Sequence, residues 1–319
     1  MEIYKTQSPI ARKSNWFLSL VVIVLVTFGV MAVLQSISIF LVNPIFGIPM
    51  DEMFAALTGN SPNSDARMAI LFVQGIGAGL SFLVSALFIA KLIDKADFGW
   101  KQQIANFKFN GFLLMFMILL GGILFNTLLI YWNSIVVLPE FMASFESWAR
   151  AKEDQAMIMT KFLTDFDNIS EFMMGVLVVG ILAGLGEEFL FRGVLQPKLH
   201  FYTGNAHVGI WLAAFVFSAI HFQFYGFFPR MLLGAIFGYL YLYSGSLIYP
   251  ILAHILNNVT TLVLVYMNKL GKVDFDIEEV DMVSIPIALV GLLILLGGFK
   301  IFKEVSKPKI TDGELDKNI

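Results

Sequence analysis

The sequence predicts an all-α, polytopic membrane protein, a bundle of about eight transmembrane helices. Hydrophobic residues make up 58% of the 319 residues and charged residues 14%, and the mean hydropathy is +0.78. A water-soluble core of this length could not cover so many apolar side chains. The apolar residues also fall into runs of about 20, the length of a helix that crosses a bilayer.

These runs divide the chain into three parts. We expect a cytoplasmic N-terminal segment at 1–15, a transmembrane domain at 16–302 and a polar tail at 303–319. The predicted helices lie near 16–42, 68–90, 111–138, 171–192, 207–224, 228–243, 247–267 and 283–302.

Two connecting stretches carry their own expectations. The stretch 43–67 is rich in proline and includes the run NSPN, so it predicts coil. The stretch 139–170 places Phe141, Phe145 and Trp148 at helical spacing ahead of a polar run. This pattern is typical of a short helix in the membrane interface, although an ordinary solvated loop is the alternative.

Charge indicates the orientation and excludes several kinds of site. If the spans alternate in direction, 14 of the 21 Lys and Arg residues lie on the side of both termini, which predicts that both termini are cytoplasmic. A net charge of -3 without a basic run excludes a nucleic-acid partner. The absence of cysteine excludes disulfides, thiol nucleophiles and Cys-ligated metals.

Five polar side chains lie inside the predicted spans. Glu187 and Glu188 belong to the fourth span, His221 to the fifth, and His254 and Asn258 to the seventh. An ionisable group at membrane depth must find a partner or water, so it is a candidate functional residue. The bland alternatives are that the carboxylates reach the interface, and that each histidine makes a structural hydrogen bond.

The spacing of the charged residues divides their expected roles. Glu188 and Arg192 are four residues apart and can pair on one helix face, while Glu187 points about 100° away. A carboxylate without a cation partner in a water-poor site suits a general base. Nearby glycines are predicted to let neighbouring helices approach closely: Gly184, Gly186 and Gly193.

His254 and Asn258 are also four residues apart, so both can face one cavity. This pair suits a metal site or a hydrogen-bonding clamp on a carbonyl oxygen. Together with Glu187 and His221 it predicts metal-assisted or carboxylate-assisted hydrolysis of an amide, without a serine or cysteine nucleophile. A membrane immunity or scaffold protein that acts by binding, and a proton-coupled transporter, are the alternative functions.

Three motifs resemble the CPBP family of intramembrane proteases, which includes CAAX prenyl endopeptidases, abortive-infection proteins and bacteriocin-processing proteins. The run EEFLFR at 187–192 is similar to its E-E-x-x-x-R motif, Phe217–His221 to F-x-x-x-H, and His254–Asn258 to H-x-x-x-N. The run YSGSLIYPILAHILNN looks like the bacterial members. The resemblance covers 171–267 and implies an endopeptidase of the bacterial cytoplasmic membrane that cleaves a membrane-associated peptide or protein.

The resemblance also implies roles for single residues. Glu187 and His221 would activate water, and Glu188 would pair with Arg192. His254 and Asn258 would hold the oxyanion of the tetrahedral intermediate. A divalent metal such as zinc, if the reaction uses one, would be held by Glu187, His221, His254 and Asn258.

One geometric difficulty follows from the predicted helix ends. Counted along straight helices, Glu187 lies about 8 Å from the inner end of its span, whereas His221 lies about 21 Å from the start of its own. The two residues would then be at different depths, so we expect the fifth helix to start deeper, or to tilt, or the predicted boundaries to be wrong.

Overall fold

Helices account for the whole architecture in the computed structural model, which describes residues 8–57, 66–275 and 284–307. The described residues contain no β-strand, which confirms the predicted all-α class. The helices are α1 Trp16–Phe46, α2 Met50–Leu57, α3 Ala66–Ile93, α4 Trp100–Asn106, α5 Phe109–Ser134, α6 Ala143–Thr164, α7 Ile169–Thr203, α8 Ala206–Ala219, α9 Phe227–Ser244, α10 Ile248–Lys269 and α11 Ile285–Val305.

Six of these helices are long and apolar enough to cross a membrane, judged by length and composition: α1, α3, α5, α7, α10 and α11. The prediction of about eight such helices therefore needs correction. The fifth and sixth predicted spans do form helices, but α8 has 14 residues and α9 has 18. At 1.5 Å per residue, α8 is roughly 21 Å long, which is less than the ~30 Å hydrocarbon core of a bilayer.

The predicted end of the fourth span is also wrong, because α7 continues to Thr203. The predicted span ended at Arg192, yet Arg192 and Lys198 are both buried beside intramolecular partners. Lys198 Nζ lies 2.7 Å from Asp94 Oδ2 and donates to Ser19 Oγ at 2.8 Å. Each charge is neutralised inside the protein, so the helix passes through both positions without reaching water.

This extension removes the expected mismatch in depth. Gly204, at φ +71°, ends α7 in the left-handed conformation, and Asn205 then accepts the amide hydrogens that begin α8. Counted from this turn, Glu187 lies roughly 24 Å up one helix, and His221 roughly 22 Å up the next. The two residues are therefore at similar depth on neighbouring, antiparallel helices.

Three predictions about the connecting and terminal stretches have mixed outcomes. Coil at 43–67 is wrong for the described part, since α1 continues through Pro44 to Phe46 and α2 follows, while 58–65 lies outside the described residues. A helix within 139–170 is confirmed, because α6 occupies Ala143–Thr164, whereas its position in the membrane interface stays a prediction. The predicted tail begins inside α11, and 308–319 lies outside the described residues.

Close packing positions α7 against its neighbours. Gly186 faces α3, where an added Cβ would overlap the carbonyl oxygen of Gly79, and Gly184 faces Ile255 of α10. Behind them, aromatic and aliphatic side chains from α1, α3, α7 and α9 form a common core. The carboxylates of α7 are thus held on a helix that cannot shift without moving three others.

Substitution of Gly186 tests this contact. Gly186→Ala is expected to destabilise the protein by about 1–3 kcal/mol, because the obstructing atom is backbone and cannot rotate away. Gly297→Ala is the matched control, since an added Cβ on this exposed face of α11 meets nothing within 4 Å. Thermal unfolding in detergent compares them, and equal melting temperatures would contradict the predicted contact.

Candidate active site

A cavity of about 550 Å³ lies among α5, α6, α7, α9, α10 and the 220–226 loop that follows α8. Apolar walls surround a group of polar side chains, as is usual for a ligand site. The polar and ionisable residues that line it are Asn126, Ser134, Glu153, Glu187, His221, Tyr225, Arg230, His254, Asn257 and Asn258. The structure thus brings together Glu187, His221, His254 and Asn258.

Glu188 lies beneath this cavity and is fully buried. Its Oε1 atom accepts hydrogen bonds from Arg192 Nη1 and from His254 Nδ1, both at 2.8 Å. Arg192 Nη2 donates to the Gly234 carbonyl at 2.8 Å, and its guanidinium lies 4.7 Å from the centre of the Phe217 ring. One carboxylate therefore links α7 to α10 directly and to α9 through Arg192.

The hydrogen bond with Glu188 also determines which ring nitrogen of His254 faces the cavity. Since the carboxylate accepts from Nδ1, that nitrogen carries a proton and Nε2 faces the cavity. Phe237 stacks on the imidazole with ring centres 5.0 Å apart, and Phe217 packs against it edge-on. The sequence indicated the pairing of Glu188 with Arg192, but it did not indicate that His254 shares the same carboxylate.

Glu187 occupies the position between the buried pair and the cavity. Its Oε2 lies 3.9 Å from His254 Nε2, which is too long for a direct hydrogen bond. A water molecule placed to one side could reach both atoms at normal hydrogen-bond distance. Glu187 therefore faces the space where a substrate and a water could meet, on the helix turn that also carries Glu188.

His221 reaches the cavity from the loop after α8. Its Nδ1 lies 2.8 Å from the carbonyl oxygen of Phe217, one turn earlier, so this nitrogen is the donor and Nε2 of the neutral ring is an acceptor. The Phe217 ring packs edge-on against His221, with centres 5.3 Å apart. His221 thus lies in the loop just after α8 and not within the helix.

Asn258 completes the group one turn after His254. Its side-chain amide donates to the Val179 carbonyl of α7 at 3.0 Å, and its oxygen accepts from Asn257 at 3.2 Å. An amide group carries two hydrogens, so one remains for a ligand in the cavity. Asn258 is therefore held in place by α7 while keeping one donor.

The predicted metal fits the described side chains poorly. Among the residues that the structure describes, no three His, Asp or Glu side chains lie close enough to hold a metal ion. A zinc ion normally takes three or four protein ligands at about 2 Å, and this arrangement does not present them.

Sequence reasoning missed the contribution of α6. Glu153 accepts a hydrogen bond from the Gln223 side chain and another from the Tyr225 backbone N–H, both at 3.2 Å. Burial raises the pKa of the Glu153 carboxyl above its usual range, and the Tyr225 N–H partly offsets this. The 70 residues between Glu153 and the loop leave no local spacing that could reveal the contact.

The same loop is fixed from a second side and contains one unusual backbone conformation. Asn133 of α5 donates to the Phe224 carbonyl and accepts from the Phe228 N–H, both at 3.2 Å. Phe222 has φ +53°, a region that residues other than glycine seldom adopt. The loop that presents His221 therefore depends on contacts with α5 and α6 for its shape.

Substitution of Glu153 is expected to loosen this loop. Glu153→Ala leaves the Tyr225 N–H and the Gln223 amide without partners, which costs about 1–3 kcal/mol. Hydrogen exchange at 220–226 should accelerate, and Asp154→Ala, which alters the exposed neighbouring carboxylate, should leave it unchanged. Equal exchange in the two variants would show that Glu153 does not hold the loop.

Comparison with known proteins shows which family this region resembles. Residues 169–260 match the family described as type II CAAX prenyl endopeptidase Rce1-like. The matched residues contain all three motifs, from Glu187 to Asn258, and confirm the resemblance predicted from them. With the six long apolar helices, the match identifies an integral membrane protein. The bacterial cytoplasmic membrane and the cytoplasmic termini stay predictions.

One curated relative matches a short part of this chain, and no solved structure matches it. YpbD, an uncharacterized protein of Bacillus subtilis (strain 168), is 31% identical over 83 residues, which are 25% of this chain and 39% of that protein. The match thus spans about two fifths of the relative's length. No solved structure matches this chain significantly.

Proposed function

We propose that this chain, whose residues 169–260 match the Rce1-like family, is an intramembrane endopeptidase that hydrolyses a peptide bond with activated water. The observation that carries the proposal is the cavity in which Glu187, His221, His254 and Asn258 face one space. Glu188, Arg192 and the backbone of α7 support these side chains from behind. The substrate would be a membrane-associated peptide or protein.

The first step is attack by water on the carbonyl carbon of the scissile bond. Glu187 takes one proton from the water as general base, while Nε2 of His221 accepts a hydrogen bond from the other proton and orients the water. The new C–O bond forms as the carbonyl π electrons move to oxygen. This gives a tetrahedral intermediate with a negative oxygen.

His254 and Asn258 supply donors for that negative oxygen. Asn258 has one amide hydrogen left, and His254 can donate from Nε2 only as an imidazolium, because Nδ1 already donates to Glu188. The proposal therefore requires that His254 carry a proton on both ring nitrogens when the negative oxygen forms.

The second step breaks the C–N bond. As the intermediate collapses, the proton held by Glu187 passes to the departing nitrogen, and an amine and a carboxylic acid result. Each residue thus returns to its starting protonation state. The predicted zinc takes no part in these reaction steps and stays a separate proposal. Measuring peptide cleavage after a chelator is added, and again after zinc is restored, tests it.

The experiment is cleavage of a peptide library by the purified protein in liposomes, with new termini identified by mass spectrometry. Cleavage that is lost in His254→Ala supports the proposal, because this variant removes an oxyanion donor. Binding of peptides without cleavage by the wild-type protein would favour the scaffold alternative. A wild-type protein that neither cleaves nor binds peptides would contradict both.

A further inference from the structure

Arg230 is a cation on the cavity wall that the proposed mechanism does not use. It lies in the first turns of α9, partly buried, and its Nη2 donates to Gln223 Oε1 at 2.7 Å. Its Nη1 is shielded from solvent and has no hydrogen-bond partner among the described residues. A shielded donor of a charged group without a partner is costly and points to a missing acceptor.

Two other buried arginines differ from Arg230 in their counter-ions, although Arg192 Nε also has no hydrogen-bond partner among the described residues. Arg67 contacts Asp167 and Glu171, and Arg192 contacts Glu188, each within ion-pair distance. Within the described residues, Arg230 has no carboxylate oxygen within 4.0 Å and relies on a neutral amide. The structure thus supplies direct counter-ions for its other shielded guanidinium groups but leaves this one open toward the cavity.

Neighbouring groups hold the Arg230 guanidinium in a fixed orientation. It lies over Gly226, where an added Cβ would stand 3.1 Å from Nη2 and 3.5 Å from Nη1. Gln223, its hydrogen-bond partner, also donates to Glu153. This support places the planar group against the backbone on one side and leaves Nη1 available, so little side-chain entropy would be lost on binding.

The position of Arg230 connects it to the proposed site. It lines the same cavity as Glu187, His221 and His254, so a peptide with its scissile bond beside Glu187 would pass this guanidinium. A guanidinium binds carboxylates through paired, charge-assisted hydrogen bonds. Glu153 and Glu187 attract Arg230 at longer range, but neither makes an ion pair with it.

We propose that Arg230 binds a carboxylate of the peptide substrate, either the C-terminal α-carboxylate or an acidic side chain near the scissile bond. The proposal rests on the proposed function in one respect, namely that the ligand is the peptide to be cleaved. It would make Arg230 a determinant of substrate choice, separate from the groups that activate water.

Binding can be measured without turnover in a Glu187→Gln background. The probes are a short apolar peptide with a free C-terminus, the same peptide as its C-terminal amide, and the amide with one internal aspartate. We expect at least one acidic probe to bind about tenfold or more tightly than the neutral amide, as expected for a charge-assisted hydrogen bond. The acidic probe that binds more tightly identifies the source of the carboxylate.

Variants then assign this preference to one residue. In Glu187→Gln/Arg230→Gln the affinity for the preferred acidic probe should fall to about that for the neutral amide, so that their ratio is about one. Glu187→Gln/Arg230→Lys should keep part of the preference for the acidic probe. Glu187→Gln/Arg150→Gln is the control, because Arg150 lies on α6 outside the cavity wall and pairs with Glu146. Since the readout is a ratio within each variant, partial loss of folded protein does not change it.

The results separate this proposal from the proposed function. Equal binding of all three probes in the Glu187→Gln background overturns the role of Arg230, even if the wild-type protein cleaves peptides. A preference that survives in Glu187→Gln/Arg230→Gln also overturns it. A preference lost with Arg230 supports the proposal, even if no cleavage is found.

Discussion

Glu187→Gln is expected to lower kcat/KM for peptide cleavage about 10²- to 10⁴-fold, the usual contribution of a general base. Glutamine keeps the size of the side chain but cannot accept a proton from water. Its effect on folding should be small, because Glu187 Oε2 lies 3.9 Å from His254 Nε2 and makes no direct hydrogen bond with it.

Activity and thermal unfolding of the same Glu187→Gln preparation are the measurements that check this. Asp154→Asn is the matched control, since it makes the same chemical change at an exposed carboxylate outside the cavity wall. Cleavage by Glu187→Gln at the wild-type rate would rule out Glu187 as the base. A large fall in melting temperature would instead assign Glu187 a structural role.

Glu188→Ala should act mainly on stability, by about 3–5 kcal/mol. The substitution removes the acceptor shared by Arg192 and His254, and leaves a fully buried guanidinium without a counter-ion. Breaking a buried pair in this way costs more than the pair contributes, because the remaining charge stays desolvated. Thermal unfolding in detergent is the measurement.

A double variant separates the cost of an orphaned charge from the loss of packing. Glu188→Leu/Arg192→Leu removes both partners and should be less destabilised than Glu188→Leu alone, since no unpaired guanidinium remains. Equal or greater destabilisation of the double variant would show that the charge of Arg192 is not the main cost. His254 loses its partner in both variants, so that effect cancels.

The parts of the site that follow helical periodicity could be predicted from the sequence. The i, i+4 spacing placed Glu188 beside Arg192, and the 100° step turned Glu187 away, toward the cavity. Both properties belong to one helix and need no knowledge of its neighbours. The family resemblance likewise depended on three short motifs within 187–258.

The parts that depend on partners distant in sequence could not be predicted. The fourth span was predicted to end at Arg192, because a charge in an apolar helix normally reaches water. The actual partner of Lys198 is Asp94, about 100 residues earlier, and it allows α7 to continue to Thr203. The boundary error therefore arose from a buried ion pair.

The cavity wall opposite α7 was missed for the same physical reason. Glu153 lies on α6 and Arg230 at the start of α9, and neither side chain has a hydrogen-bond partner at helical spacing. The lengths of the apolar runs in the sequence also failed to predict the ends of α8 and α9. Both helices are shorter than the six that could cross the bilayer.

The most direct test of the central claim is product analysis of wild-type cleavage in H₂¹⁸O with an added amine nucleophile. The account predicts one ¹⁸O atom in the new carboxylate and no transfer of the peptide to the amine, because water activated at Glu187 attacks the bond directly. A peptide–amine product would contradict it, since that product requires a covalent acyl-enzyme.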